Sequence, residues 1–115
     1  RQRQMCIRDR CELEEDWLII PGHDWPFYGG APRARQLIKH HENRLGQLLD
    51  SGVPLTTNHA MAILFPFELT DHEIYFASCE ARAHLNHLVT SGRMTRSTKD
   101  GIAIFYPHQT SQRLT

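Results

Sequence analysis

The chain has 115 residues, which is enough for one small domain and too few for two independent ones. Its 13 basic and 13 acidic residues give a formal net charge of zero, so the overall charge shows no footprint for nucleic acid or an anionic membrane. Apolar runs such as "WLII" and "AMAILF" are far shorter than the ~20 residues of a membrane-spanning helix, and the three cysteines form no disulfide framework, so we predict a cytoplasmic protein.

The first ten residues, "RQRQMCIRDR", have no apolar periodicity and no turn signal, so they do not look like the start of a folded element. The string "MCIRDR" resembles the translation of a sequencing adapter. We therefore expect residues 1–10 to be non-native and exclude them from reasoning about the fold. An adapter joined to a reading frame also leads us to expect that the natural N-terminal part is missing.

Residues 17–20, "WLII", are bulky, partly β-branched and followed by Pro21-Gly22, a pattern that predicts a short buried strand. His23 and Asp24 follow at once. A neutral imidazole is a common zinc ligand, and a neighbouring carboxylate can orient it. The same two residues can also form a plain turn before Trp25. Local spacing favours the turn, because one His-Asp pair supplies too few ligands for a zinc site.

Two helices are predicted next. Pro32 can occupy the first turn of a long helix that ends at Ser51-Gly52, and Thr56 with Thr57 can cap a shorter helix that Pro66 stops. The long helix carries an apolar stripe of Ala34, Leu37, Ile38, His41, Leu45, Leu48 and Leu49.

A third helix and a β-ribbon are predicted after these. Thr70 and Glu73 have the spacing of a capping box, the helix runs to about Ser91, and Gly92 is its stop signal. The pair Asp100-Gly101 between "RMTRSTK" and "IAIFYP" predicts a hairpin. Three helices followed by a two-stranded ribbon is the element order of a winged-helix module. The polar tail of residues 108–115 is expected to fray.

Several of the eight histidines are candidates for a site. His40 and His41 are adjacent in the first helix, so they diverge around it and cannot chelate one ion together. Glu80, His84 and His87 share a face of the third helix. With no cysteine or second carboxylate in register, a structural hydrogen-bonded pair of Glu80 and His84 is favoured over a helical metal site.

A stand-alone winged-helix module that binds nucleic acid or a partner protein is the alternative function. Arg93, Arg96 and Lys99 could form a small basic wing, although such charges also serve as solvated protection of a strand edge. The third helix, which would enter a groove, is apolar, acidic and rich in histidine. Helices that read DNA need basic and amide side chains, so this pattern argues against nucleic-acid binding.

Taken together, "IIPGHDWPFYGGAPRARQLIKHHENRL", "EARAHLNHLVTSGRM" and "DGIAIFY" resemble the C-terminal part of metallo-β-lactamase-fold hydrolases with a winged-helix-like extension. The resemblance implies an α+β chain. Residues 11–31 would be the last strand and metal-ligand loop of an αββα sandwich, and residues 32–107 a mainly helical winged-helix-like domain with three helices and a hairpin. The rest of the sandwich would belong to the missing part of the same chain.

The resemblance also implies a zinc site, with two ions in the intact protein, in which bound water becomes hydroxide near neutral pH. By position, His23 matches the last metal ligand. Asp24 would support the loop, Trp25 and Phe27 would line the substrate cleft, and His41 could lie near it. The family's H-x-H-x-D-H motif is absent from this chain, so we expect this part alone to be inactive. The intact protein would hydrolyse an ester, thioester, lactone or phosphoester in a small molecule.

Overall fold

The structure, a computed structural model, describes residues 9–12 and 17–108. It confirms three helices followed by a two-stranded antiparallel ribbon, an α+β arrangement. Most of the segment predicted to be non-native, residues 1–8, and most of the predicted frayed tail, residues 109–115, lie outside this description. The elements are α1 (Gly30–Asp50), α2 (Thr57–Leu64), α3 (Asp71–Thr90), β1 (Met94–Lys99) and β2 (Ile102–Pro107).

The chain divides into two compact units, one before and one after the junction of Asn43 and Arg44 within α1. The predicted boundary between residues 31 and 32 stays a prediction. In the second unit, the two loops before α2 and α3 carry the predicted caps. The Thr56 hydroxyl accepts a hydrogen bond from the His59 backbone N–H at 3.2 Å. Thr70 and Glu73 form the complete capping box that their spacing predicts.

The capping box stabilises the ionised form of the Glu73 side chain. Its Oε2 accepts hydrogen bonds from the Thr70 backbone N–H at 2.7 Å and from the Thr70 hydroxyl at 2.8 Å. The backbone bond and then the hydroxyl bond favour the carboxylate, so they lower the pKa of Glu73 from its ordinary value of 4.5. Because the folded pKa lies below the unfolded one, the stabilisation is present above the unfolded pKa and is lost as pH falls through the folded pKa.

We expect the stability advantage of the wild type over Glu73→Gln to shrink as the pH falls from about 6 to about 3. The glutamine of this variant can still accept hydrogen bonds but does not titrate, so the comparison isolates the charge. Urea unfolding at several pH values measures the difference. Thr70→Ala removes the hydroxyl donor and should lower stability by about 1 kcal/mol at neutral pH while reducing the pH dependence. A wild type and Glu73→Gln pair that differs equally at every pH would contradict this account.

Three residues with left-handed backbone shape the end of α3 and the ribbon, one between α3 and β1 and two in the turn between β1 and β2. Gly92, after the C-cap residue Ser91, has φ +75°. Asp100 and Gly101 have φ +52° and +78°, the sign that a tight two-residue hairpin turn of this kind requires at both central positions. The register pairs Lys99 with Ile102 across that turn. The hairpin predicted from Asp100-Gly101 is therefore confirmed.

The core of the second unit is built from the helices, the loop before α2 and the ribbon. Phe105 of β2 is fully buried and exchanges two backbone hydrogen bonds of 2.8 Å with Leu55, so Leu55 extends the ribbon on the side away from β1. The buried residues packed together are Leu45, Leu48, Leu55, Ala60, Leu64, Ala81, Leu85, Leu88, Met94 and Phe105.

No helix in the described part of the chain has the length and hydropathy needed to cross a membrane.

Residues 17–20 differ from the predicted buried strand. Only Ile19 forms a strand-like pair, with Phe27, and its neighbours Leu18 and Ile20 are 49% and 77% exposed. A strand gains its burial from neighbouring strands and from layers packed on its faces. Within the described residues, no further strand pairs with this segment, so Leu18 and Ile20 face solvent while Ile19 is half-buried.

Candidate metal-ligand loop

The loop of residues 20–26 is closed by reciprocal backbone hydrogen bonds. The Ile19 N–H donates to the Phe27 carbonyl at 2.8 Å, and the Phe27 N–H donates to the Ile19 carbonyl at 3.0 Å. Pro21 and Gly22 begin the reversal of the chain, as the end of an apolar run before Pro-Gly predicts. The residues between the two paired positions are therefore held as a defined turn.

His23 and Asp24 lie within this turn, and both are exposed. Asp24 has φ +69°, a left-handed conformation that few residues other than glycine adopt readily. The exposed imidazole of His23 is accessible to a ligand. The turn that the local sequence favours is thus present, and the metal-binding role of His23 stays a prediction.

Four of the residues predicted for the site line one open surface depression: His23, Asp24, Trp25 and Phe27. Trp25 is 87% exposed, whereas Phe27 is half-buried. A lining that mixes aromatic rings with charged and polar side chains is found in many small-molecule sites. The start of α1 also contributes to the lining through Pro32, Arg33, Ala34, Gln36 and Leu37.

His41, the fifth predicted site residue, is not among the described residues that line this depression. It lies half-buried on α1, and its ring meets that of His40 edge to face at a centroid separation of 5.7 Å. The two rings therefore meet, although a helix directs adjacent residues apart. A role for His41 near a substrate stays a prediction.

The described residues do not complete a metal site. No group of three or more His, Cys, Asp or Glu side chains in residues 9–12 and 17–108 is placed to hold an ion. Zinc sites need three or four protein ligands, and the turn offers the single imidazole of His23 with one neighbouring carboxylate. Among the described residues, the chemistry of the turn therefore fits a contribution of one ligand to a zinc site.

Glu80 and His84 are joined through the main chain. The imidazole Nδ1 of His84 lies 2.7 Å from the backbone carbonyl of Glu80, one turn earlier in α3, and His84 is buried. The carboxylate of Glu80 forms an ion pair with Arg44 at 3.3 Å, and the Arg44 guanidinium lies 4.7 Å from the centroid of the Phe65 ring. These contacts join α1, α3 and the segment after α2 within the second unit.

Sequence reasoning did not single out Arg44 or Tyr28. Arg44 pairs with residues far away in sequence, and no local spacing signals such a contact. Tyr28 is 66% exposed and lines the depression beside Trp25 and Phe27. Its position directly after the aromatic pair in "DWPFYGG" is a signal that could have included it among the cleft candidates.

The three residues of the candidate basic wing lie just before β1 and on β1 itself. The Arg93 Nε–H donates to the Ser91 hydroxyl oxygen at 3.0 Å, which fixes it against the end of α3. Arg96 and Lys99 are exposed on β1. Exposed apolar residues at the start of α3, including Tyr75 and Phe76, add no positive charge to that helix. Nothing in this arrangement favours a nucleic-acid surface over an ordinary solvated strand edge.

A small α+β domain of three helices and a ribbon follows a histidine-bearing turn in this chain. Residues 45–108 match the protein family described as "Metallo-beta-lactamase-like, C-terminal domain". The match covers more than half of the 115 residues, so the chain belongs to this family. The resemblance found in the sequence is confirmed at this level.

Solved structures extend the likeness beyond the family match. A β-lactamase domain protein from Burkholderia ambifaria is 30% identical, with a TM-score of 0.83. A metallo-β-lactamase family protein from Thermus thermophilus is 25% identical, with a TM-score of 0.71. Each alignment covers 91% of this chain and 32% of the other chain, so this chain spans about a third of their length. A comparison with curated proteins found no significant match.

Proposed function

We propose that the chain is the C-terminal part of a zinc-dependent metallo-β-lactamase-fold hydrolase, in which His23 is one of the metal ligands. The observation that carries this proposal is the exposed imidazole of His23 in a hydrogen-bonded turn that offers no second histidine or cysteine. A metal ligand that is fixed in position and has no further histidine or cysteine ligand beside it fits a site whose other ligands come from the rest of a longer chain. The family match and the coverage of a third of two longer structures support the same proposal.

The apolar surface around the turn supports it independently. Trp17, Ile20 and Trp25 are 54%, 77% and 87% exposed and lie close together in sequence. Large exposed apolar residues concentrated in one short segment support an interaction surface there. In the proposal, the sandwich layers of the longer protein cover Trp17 and Ile20, and Trp25 with Phe27 forms a wall of the substrate cleft.

In the proposed site, the residues of the turn would have separate roles. His23 would bind the metal, the main chain around Asp24 would hold the turn, and the aromatic wall would exclude water from one side of the substrate. Zinc, when bound, supplies a hydroxide near neutral pH and polarises the bond that is attacked. The substrate would be an ester, thioester, lactone or phosphoester, and the part of the protein seen here would be inactive alone. The domain after the turn would be winged-helix-like, with β1 and β2 as the wing.

The proposal is tested by extending the coding sequence upstream and by measuring zinc. We expect an in-frame H-x-H-x-D-H motif upstream, stoichiometric zinc in the longer protein and no stoichiometric zinc in the purified 115-residue chain. An in-frame stop codon directly before Cys11, with no such motif upstream, would overturn the proposal. Tight, stoichiometric zinc in the 115-residue chain would also overturn it, since the ligand set would then lie within this sequence.

A further inference from the structure

We infer that Asp24 is a positioning residue whose left-handed main chain, and not its carboxylate, holds His23 in place for the metal. This inference rests on the proposed function and names a residue that acts through His23. Two observations carry it, namely the backbone conformation of Asp24 in a closed turn and the lack of a partner for its side chain among the described residues.

The turn leaves little freedom at Asp24. The two hydrogen bonds between Ile19 and Phe27 fix both ends, so the residues between them must reverse the chain within a short span. Asp24 takes φ +69° in the middle of this span. A change to negative φ would redirect the chain on one side of Asp24 relative to the other. Either the Ile19–Phe27 pairing or the position of His23 would then have to change.

The same residue type serves the same backbone role elsewhere in the chain. Among the described residues, Asp24 and Asp100 are the non-glycine residues with positive φ, and Asp100 occupies the tight turn of the ribbon. Aspartate and asparagine adopt the left-handed region more readily than other side chains because their short polar groups can interact with the nearby backbone. The ribbon turn shows that this sequence uses aspartate where the chain must reverse.

The carboxylate of Asp24 contributes no visible restraint. It is exposed, and it forms no hydrogen bond or ion pair with any residue in the described part of the chain. The turn is therefore held by main-chain hydrogen bonds and by the conformation of Asp24, without help from this side chain. A ligand that is already in position binds more tightly, because less conformational freedom is lost on binding.

Four substitutions in the longer, zinc-binding protein separate the backbone from the carboxylate. Asp24→Gly and Asp24→Asn keep access to the left-handed region without the charge, whereas Asp24→Ala and Asp24→Val do not. The readout is the zinc dissociation constant from competition with a chelator, together with the thermal midpoint of the zinc-free protein. We expect Gly and Asn to stay near the wild type, and Ala to weaken zinc binding about tenfold, with Val at least as weak.

Equal weakening in Gly, Asn and Ala would show that the carboxylate matters and would overturn the inference. Wild-type affinity in all four variants would overturn it as well. If Val fails to fold, the comparison of Gly with Ala still decides. His23→Ala, measured in parallel, separates the two proposals: wild-type zinc affinity in that variant rejects the proposed function, whereas zinc loss there with an unchanged Asp24→Ala rejects the inference alone.

Discussion

His23→Ala in the longer, zinc-binding protein is expected to raise the zinc dissociation constant by more than about 100-fold. Changes to residues that merely support metal ligands cost roughly 10–100-fold in affinity, so the loss of a ligand should exceed that range. Hydrolytic activity should fall with the metal. The measurement is zinc content after dialysis against a chelator, followed by competition titration.

Two controls accompany this experiment, namely the stability of the His23→Ala variant and a substitution of a different exposed histidine. His23 is exposed, and substitutions at exposed positions change the free energy of unfolding by only about 0.5 kcal/mol, so the variant should stay folded. His59→Ala replaces another exposed histidine, at the start of α2, where its backbone N–H and not its ring serves the cap. It should leave zinc binding unchanged. Full zinc loading of His23→Ala would remove His23 from the ligand set.

Phe105→Ala is expected to remove most of the free energy of unfolding of the second unit. The ring is fully buried, and the Arg82 guanidinium lies 5.2 Å from its centroid. Replacing a buried phenylalanine with alanine costs about 3–5 kcal/mol, from lost burial and from the cavity that remains. Small domains lie near the lower end of a stability range of about 5–15 kcal/mol, so this cost removes most of the margin.

Urea unfolding followed by far-UV circular dichroism measures the loss. Tyr106→Ala is the matched control, because it deletes the neighbouring aromatic ring of the same strand, which is 40% exposed. It should cost less than about 1 kcal/mol. Phe105→Leu keeps much of the volume and should fall between the two. Equal destabilisation by Phe105→Ala and Tyr106→Ala would contradict the core described here.

Local features of the fold could be predicted because their physics is local. The capping box of Thr70 and Glu73 and the turn of Asp100-Gly101 each depend on a few neighbouring residues, and both are present as predicted. The ion pair of Arg44 with Glu80 and the pairing of Leu55 with Phe105 depend on how distant segments meet. No spacing rule reaches that far along the chain, so these contacts were not predicted.

The candidate site could be predicted only in part. The residues after "WLII" predicted a reversal of the chain, and the structure has one there, closed by Ile19 and Phe27. The predicted burial of "WLII" is not observed, because no further strand among the described residues pairs with this segment. The choice of His23 as a ligand came from the family resemblance, since one histidine in a turn does not specify a metal.

The pairing of Leu55 with Phe105 also bears on the order in which the second unit folds. Contacts within α2 and α3 join residues close in sequence and can form early, whereas this pairing joins the two ends of the unit and closes a long loop. Because Phe105 is also part of the core, folding cannot be completed until β2 has been synthesised. During translation, the three helices therefore emerge from the ribosome before Phe105, the core residue that follows them in sequence.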